Sequence, residues 1–385
     1  MAITIIEATK LKPFKKFRLM SGMSGLGNMI EKVGILDWEF FSREAGQFVS
    51  GEFVLTSLLF AKDNPDYIIE AVKDLVSDGA SGLAIKNVYY DELPEDVIQF
   101  SNEHAFPIFI FDNSAYFEDI ITEVMDKIRF SQNYALLETK VDILIKKSLD
   151  KATVKDIAIE INTSFHEHFF VIYLKRKNYS HESDLFALLE KIKRSKVMDL
   201  HSSVLKYRTG ILMIRTFEKM DERQKNGYAD ALLEQLEIDK ALYYIGTSNF
   251  HKDLSELNLG INECLFAECT SEVSIKTAHH YKDIGIYSVI LPYKDDVWMK
   301  EYYKRIVEPL NLYDEKYGTD LFATAVKYVE TEGRILETAN ALYVHKNTVR
   351  YRLEKIREIL AIEMSESGFY EQLSIAMKLH RIYSL

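Results

Sequence analysis

Ile335-Leu-Glu-Thr-Ala-Asn-Ala-Leu-Tyr-Val-His-Lys-Asn-Thr-Val-Arg-Tyr-Arg-Leu-Glu-Lys-Ile-Arg-Glu-Ile-Leu360 reads as two helices joined by a short turn. In the first, Ile335, Ala339 and Leu342 recur at helical spacing, and the small side chains of Ala339 and Ala341 permit close approach of another helix. Tyr343-Val344-His345 interrupts that spacing. From about Lys346 a second helix sets Val349, Leu353, Ile356 and Leu360 on one stripe. Asn347, Arg350, Tyr351 and Glu354 fall on the opposite face, with Lys346 and Arg357 at its flank. An apolar stripe holds such a helix to a body, while amide, guanidinium and phenol groups point outward near its N-terminal half. Arg and Asn suit base edges in a DNA major groove, and Lys and hydroxyl groups suit phosphates. A basic amphipathic helix alone is more often a solvated surface. The short first helix, the tight turn and the long basic second helix together favour a helix-turn-helix.

The rest of the chain sets bounds on that reading. Its 385 residues exceed one core and suggest two to four domains, and an apolar fraction of 47% lets each bury its own. The net charge of −11 argues against a protein coated with nucleic acid, but not against one local basic patch. Cys264 and Cys269 lie in an apolar helical pattern, so neither a disulfide framework nor a metal site is expected. Met1 to Thr9 lacks a basic leading region and a cleavage site, so no signal peptide is expected. No run approaches the roughly 20 apolar residues of a membrane span. These features imply a cytoplasmic protein with no cofactor and no membrane partner.

Upstream, strand and helix patterns alternate. Glu52 to Phe60, Leu83 to Lys86 and Pro107 to Phe111 read as strands, with helices after Asn64-Pro65 and from Leu93. Short connections imply a parallel α/β sheet, whose strand carboxyl ends favour small ligands. Thr56, Ser57, Lys86, Asn87 and Asp112 occupy those ends and are the candidate effector-binding residues. Polar residues also terminate strands without any such role. Gly22-Met-Ser-Gly-Leu-Gly27 lacks the Lys-Ser/Thr ending of a phosphate loop and reads as a turn.

Ile120 to Phe165 reads as one long helix, able to pair with its own copy or to pack on a neighbouring domain. A second α/β unit follows, with strands at 169–174, 241–246 and 285–290, a hairpin around Arg208-Thr-Gly210, and helices at 185–192, 228–236 and 257–269. His166-Glu-His168 and His279-His280 lack a third ligand at matching spacing and read as surface or interface histidines. Residues 292–318 read as a charged, aromatic connector. The expected class is multidomain α/β plus all-α: an α/β domain over 1–125, a helical connector over 126–165, an α/β domain over 166–291, and a connector with helix-turn-helix over 292–385.

Ala339-Asn-Ala-Leu-Tyr-Val-His-Lys-Asn-Thr-Val-Arg-Tyr-Arg-Leu353 resembles the C-terminal helix-turn-helix of the PucR family of bacterial transcriptional regulators. Tyr343 departs from helix-turn-helix proteins in general, standing where a Gly often makes the turn. Phe17-Arg-Leu-Met-Ser-Gly, Gly51-Glu-Phe-Val-Leu-Thr56, Gly79 to Lys86, Leu93-Pro-Glu and His104-Ala-Phe-Pro-Ile-Phe resemble that family's N-terminal domain. The resemblance implies an effector-sensing or interaction module there, with no catalytic residue. The middle unit resembles the GGDEF-like domain of the family. GGDEF-class cyclases carry two glycines and acidic residues at a tight hairpin, whereas Lys206-Tyr-Arg-Thr-Gly-Ile-Leu has one glycine and no carboxylate. Cyclase activity is therefore not expected.

The resulting expectation is a DNA-binding transcriptional regulator that responds to a small metabolite. Asn347, Arg350 and Tyr351 would contact bases, while Lys346, Thr348 and Arg352 would hold phosphates of double-stranded DNA. One such helix buries little surface, so a homodimer or higher homo-oligomer on paired half-sites is expected. Two alternatives stand beside it. One is an enzyme with an unrecognised site in an α/β domain; the other is a scaffold or co-regulator whose helix-turn-helix contacts protein.

Overall fold

The computed structural model describes residues 2–42, 48–146, 148–178, 182–220, 225–274, 278–363 and 365–385. The chain divides into two compact units, Met1–Leu137 and Glu138–Leu385. In the first, β1 (Ile3–Thr4) pairs with β3 (Met29–Ile30) in a small ribbon. The main sheet contains β2 (Phe17–Ser21), β4 (Lys32–Ile35), β5 (Glu52–Thr56), β6 (Gly82–Lys86) and β7 (Ile108–Phe111), in the order β2-β7-β6-β5-β4. Strands β4 to β7 run parallel, and β2 is antiparallel to β7. Helices Asp66–Ser77 and Glu95–Glu103 link β5 to β6 and β6 to β7.

Period-two side chains split cleanly between the faces of this sheet. Val54, Leu83, Ile85, Ile108 and Ile110 pack with Ile68, Ala71, Val72, Leu75 and Val97 of those two helices. Phe53, Leu55, Ala84, Phe109 and Phe111 face the other way, onto Ile3, Ile5 and Phe14 and onto Ile120, Val124 and Ile128 of helix Phe117–Lys146. Burial on both faces explains why these strands read as continuous apolar runs.

The expected single helix from Ile120 to Phe165 is two. Phe117–Lys146 ends before Asp150, whose carboxylate accepts from the Thr153 amide at 3.0 Å and starts Lys151–Ile161. The second unit then builds a sheet from β8 (His168–Arg176), β9 (Ser202–Tyr207), β10 (Gly210–Phe217), β11 (Tyr243–Thr247) and β12 (Ala278–His280). Their order is β12-β11-β8-β10-β9. All neighbours are antiparallel except β11 and β12. The expected strand at 285–290 is instead a short helix, Tyr287–Ile290, and β12 takes the edge position. Ile284, Tyr287 and Ile290 are buried together with Leu379 and Ile382, so their spacing of three outweighs a β-branched composition.

Five helices complete this unit: Val297–Tyr317, Leu321–Glu330, Ile335–Leu342, Lys346–Leu360 and Glu366–Tyr383. Ile306, Val307 and Leu310 of the first join Ala325, Ala339, Val349, Leu353, Ile356, Leu373 and Met377 in one core. The stretch read as a connector over 292–318 therefore supplies a wall of the bundle.

Candidate nucleic-acid interface

The turn between the two helices of the motif is built from its own backbone. The Val344 amide donates to Ala339 O at 3.0 Å, and the Tyr343 amide to Asn340 O at 3.2 Å. This closure forces Tyr343 into the left-handed region, with φ 55° and ψ 39°. His345 then caps the second helix, its Nδ1 accepting from the Asn347 amide at 3.3 Å. Val349, Leu353 and Ile356 are buried, as their stripe requires. Two ends are thus fixed, one by a Schellman-type closure and one by a side-chain cap.

Helix Lys346–Leu360 carries five cations, Lys346, Arg350, Arg352, Lys355 and Arg357, against two carboxylates, Glu354 and Glu358. Its two halves treat them differently. Arg352 donates to Asp320 Oδ2 at 2.8 Å and to Thr324 Oγ1 at 3.1 Å. Lys355 pairs with Glu358 at 2.8 Å, and this hydrogen bond holds its ammonium above the ordinary lysine pKa. Arg357 lies over the Phe369 ring at 4.7 Å. Lys346 and Arg350, four residues apart on one face, differ from these. Among the described residues of the five helices, they are the cations without an intramolecular partner. Asn347, Arg350 and Tyr351 are exposed and Thr348 is half-buried.

The helix start also breaks a local stability rule. Its first turn holds no acidic residue, although the positive end of the helix dipole favours one, and it begins with a cation, Lys346. A cation there adds to the positive field of the unpaired amides, which is the arrangement an anion meets at a helix N-terminus. The expected set therefore divides. Lys346, Asn347, Thr348, Arg350 and Tyr351 lie together on the outward first half, whereas the Arg352 guanidinium turns back to Asp320 and Thr324, at the start of Leu321–Glu330. Spacing had placed Arg352 among the phosphate ligands; its partner Asp320, 32 residues away, was invisible to that reasoning.

In the first unit the expected polar residues do gather at the carboxyl ends of the parallel strands. Thr56 is buried, and its hydroxyl accepts from the Leu58 amide at 2.9 Å. The Ser57 hydroxyl donates to Asp37 Oδ1 at 2.9 Å, and Asp37 follows β4 on the same edge. Asp37 was missed because nothing local marks it. Lys86 lies over the rings of Tyr116 and Phe117 at 5.2 and 5.8 Å, and Asn87 donates to Asp91 at 3.0 Å. The Asp112 carboxylate accepts from the Ser114 hydroxyl and amide, which holds its pKa below the usual range. A separate cleft of about 390 Å³ opens beside it, lined by Lys12, Lys16, Ser114, Glu118, Asp119 and Glu123. It contains none of the five expected residues. Among the histidines, His280 meets Thr247 at 2.6 Å and His279 meets Ser274 at 2.8 Å.

Comparison with known proteins bears on both ends. Residues 7–128 match the Purine catabolism regulatory protein-like family, and residues 321–379 match the PucR C-terminal helix-turn-helix domain. The two matched segments lie at the two ends of the chain, and both are models of PucR-type regulators. Three relatives come from Bacillus subtilis (strain 168). The Purine catabolism regulatory protein is 29% identical over 47% of this chain and 34% of its own length. The Proline-responsive transcriptional activator PutR is 24% identical over 60% of this chain and 59% of its own. The DNA-binding transcriptional activator AdeR is 21% identical over 31% and 29%. The chain thus spans less than two thirds of each of these relatives. A crystal structure of the Regulator of Polyketide Synthase Expression from Bifidobacterium adolescentis aligns over 65% of this chain and 99% of that one, with 15% identity and a TM-score of 0.32, too slight a likeness to carry an argument. Among the described residues no helix is long and apolar enough to cross a membrane.

Proposed function

We propose that this chain is a sequence-specific DNA-binding transcriptional regulator that places the first half of helix Lys346–Leu360 in a major groove. The observation that carries the reading is the pair of unpartnered cations, Lys346 and Arg350, at the start of a helix whose other cations are all engaged. Arg350 and Asn347, with Tyr351, are the base contacts, since guanidinium and amide groups match the donor and acceptor pattern of base edges. Lys346 and Thr348 hold phosphates. Arg352 instead fastens the helix to Asp320 and Thr324. The names of the relatives, which include two activators, agree with a role in transcription.

One recognition helix buries too little for useful affinity, so the working form is a homodimer on paired half-sites. A small metabolite at the strand-end edge of the first unit, formed by Thr56, Ser57, Lys86, Asn87 and Asp112 with Asp37, biases DNA binding. The middle sheet serves as a GGDEF-like scaffold, its hairpin offering Arg208-Thr209 between Tyr207 and Gly210 and no carboxylate of its own.

The test is selection from random-sequence duplex DNA at two salt concentrations, with the native chain and Arg350→Ala. The native chain should enrich a roughly palindromic site, and Arg350→Ala should bind it about 10- to 100-fold more weakly with relaxed specificity. Weak, salt-erased binding that is the same for both proteins would overturn the reading.

A further inference from the structure

Tyr343 combines two features that the bundle does not explain. Its left-handed φ of 55° disfavours a tyrosine relative to glycine, by roughly fivefold in the folding equilibrium. Its ring is nevertheless 95% exposed. Other non-glycine residues with positive φ find compensation in the fold or carry little side chain. Leu58 is buried in the core, and Arg208 covers the Tyr207 ring at 5.0 Å. Glu237 pairs with Lys191 at 3.1 Å and Glu332 with Arg334 at 3.3 Å, while Ala105 and Ala361 are small. Among the described residues Tyr343 makes no side-chain hydrogen bond and no ring contact. A glycine would close the same turn at lower free energy and expose no aromatic surface.

The surroundings say what such a group would meet. The backbone at Tyr343 is fixed by the turn closure at Val344 and the helix cap at His345, three residues ahead of Lys346 and seven ahead of Arg350. It therefore stands at the end of the helix where the unpartnered cations and the positive pole of the dipole lie. A neutral phenol beside that field can donate its hydroxyl to a phosphate oxygen and lay its ring on deoxyribose.

We propose that Tyr343 is a backbone contact to DNA, its hydroxyl on a phosphate flanking the groove that helix Lys346–Leu360 enters; this rests on the DNA reading above. The contact fixes position and carries no sequence information of its own.

The experiment uses the full chain and the duplex site enriched by the native protein, with Tyr343→Gly and Tyr343→Phe. Tyr343→Gly should unfold in urea no earlier than the native chain, yet bind DNA roughly tenfold more weakly. Tyr343→Phe should lose most of that affinity if the hydroxyl carries the contact. Because the contact adds no cation, the dependence of log Kd on log salt should keep its slope, whereas Lys346→Ala should lower it by about one. The enriched sequence should not change. Should Tyr343→Gly fold poorly, Tyr343→Asn tolerates the same φ and takes its place. Native affinity in the glycine or asparagine variant would overturn the proposal, and so would a shifted consensus, which would mean base contact. A native chain that enriches no site removes the DNA reading, and this contact with it.

Discussion

Lys346 with Arg350, and Glu268, are charged groups of the second unit left short of hydrogen-bond partners among the described residues, and solvent separates them. Lys346 and Arg350 are exposed at a helix start, where water solvates them at little cost. Glu268, on helix Leu257–Val273 beneath β11, is 6% exposed. Gly246 makes room for it, since a Cβ there would lie 2.3 Å from the Glu268 amide nitrogen. Among the described residues Glu268 Oε1 has no hydrogen-bond partner, and the ammonium of Lys175 is 3.9 Å away and already bonded to Glu272 at 2.5 Å. Burial pushes the Glu268 carboxyl up to about 7, against the attraction of Lys175. A charge left in water waits for a partner; a buried carboxylate whose ammonium is distant and shared takes up a proton.

The largest effect that sharpens this contrast is Glu268→Gln. With a folded pKa near 7 and an unfolded value of 4.5, the native state holds a proton between those limits that the unfolded state has released. The contribution of this one group is therefore full below pH 4.5 and falls as pH rises to about 7, by roughly 3 kcal/mol. Glu268→Gln should flatten that window and be the more stable protein at about pH 8. Urea unfolding of both proteins across that range measures it. Parallel curves would mean that the carboxylate is solvated or paired in the native state, and the contrast would collapse.

A middle-sized effect tests the division within helix Lys346–Leu360. The Arg352 side chain is 19% exposed and makes two hydrogen bonds, so Arg352→Ala should cost about 1–2 kcal/mol in stability. At a temperature where both proteins are folded, its affinity for the selected duplex and its salt slope should stay close to native. A slope lower by about one would restore Arg352 to the phosphate ligands and erase the boundary between the halves.

What the sequence disclosed follows the range of its signals. Val349, Leu353 and Ile356 repeat within one helix, and strands such as Ile108–Phe111 are apolar on both faces, so local pattern alone found them. The edge strands of the first sheet escaped. Lys32-Val-Gly-Ile35 is short and carries a lysine and a glycine, and Phe17–Ser21 is mostly half-buried. The break at Asp150 is marked by a good N-cap residue, but the apolar rhythm continues through it and hides it. Tyr343 could be read as a strained turn from identity alone. Arg352 with Asp320, and Ser57 with Asp37, are pairings across 32 and 20 residues, and no periodicity encodes them. Candidate site residues were thus legible as chemistry, while which of them remained unengaged was decided by tertiary partners.

The smallest effect concerns the strand ends of the first unit, where polar groups satisfy one another as the start of helix Lys346–Leu360 does not. Ser57 donates its hydroxyl to Asp37 at 2.9 Å and its amide to the same oxygen at 3.3 Å. Ser57→Ala removes the stronger of these and leaves the carboxylate its other donors. If the bond belongs to the scaffold, urea unfolding of the first unit should show a loss of about 0.5–1 kcal/mol, with the DNA site selected by the chain unchanged. A midpoint that stays or rises would carry the opposite meaning. Binding sites commonly hold polar groups at some expense to stability, so removing one from an empty site stabilises the fold. That outcome would move Ser57 from the scaffold to the ligand edge, and make Asp37 the residue to vary next.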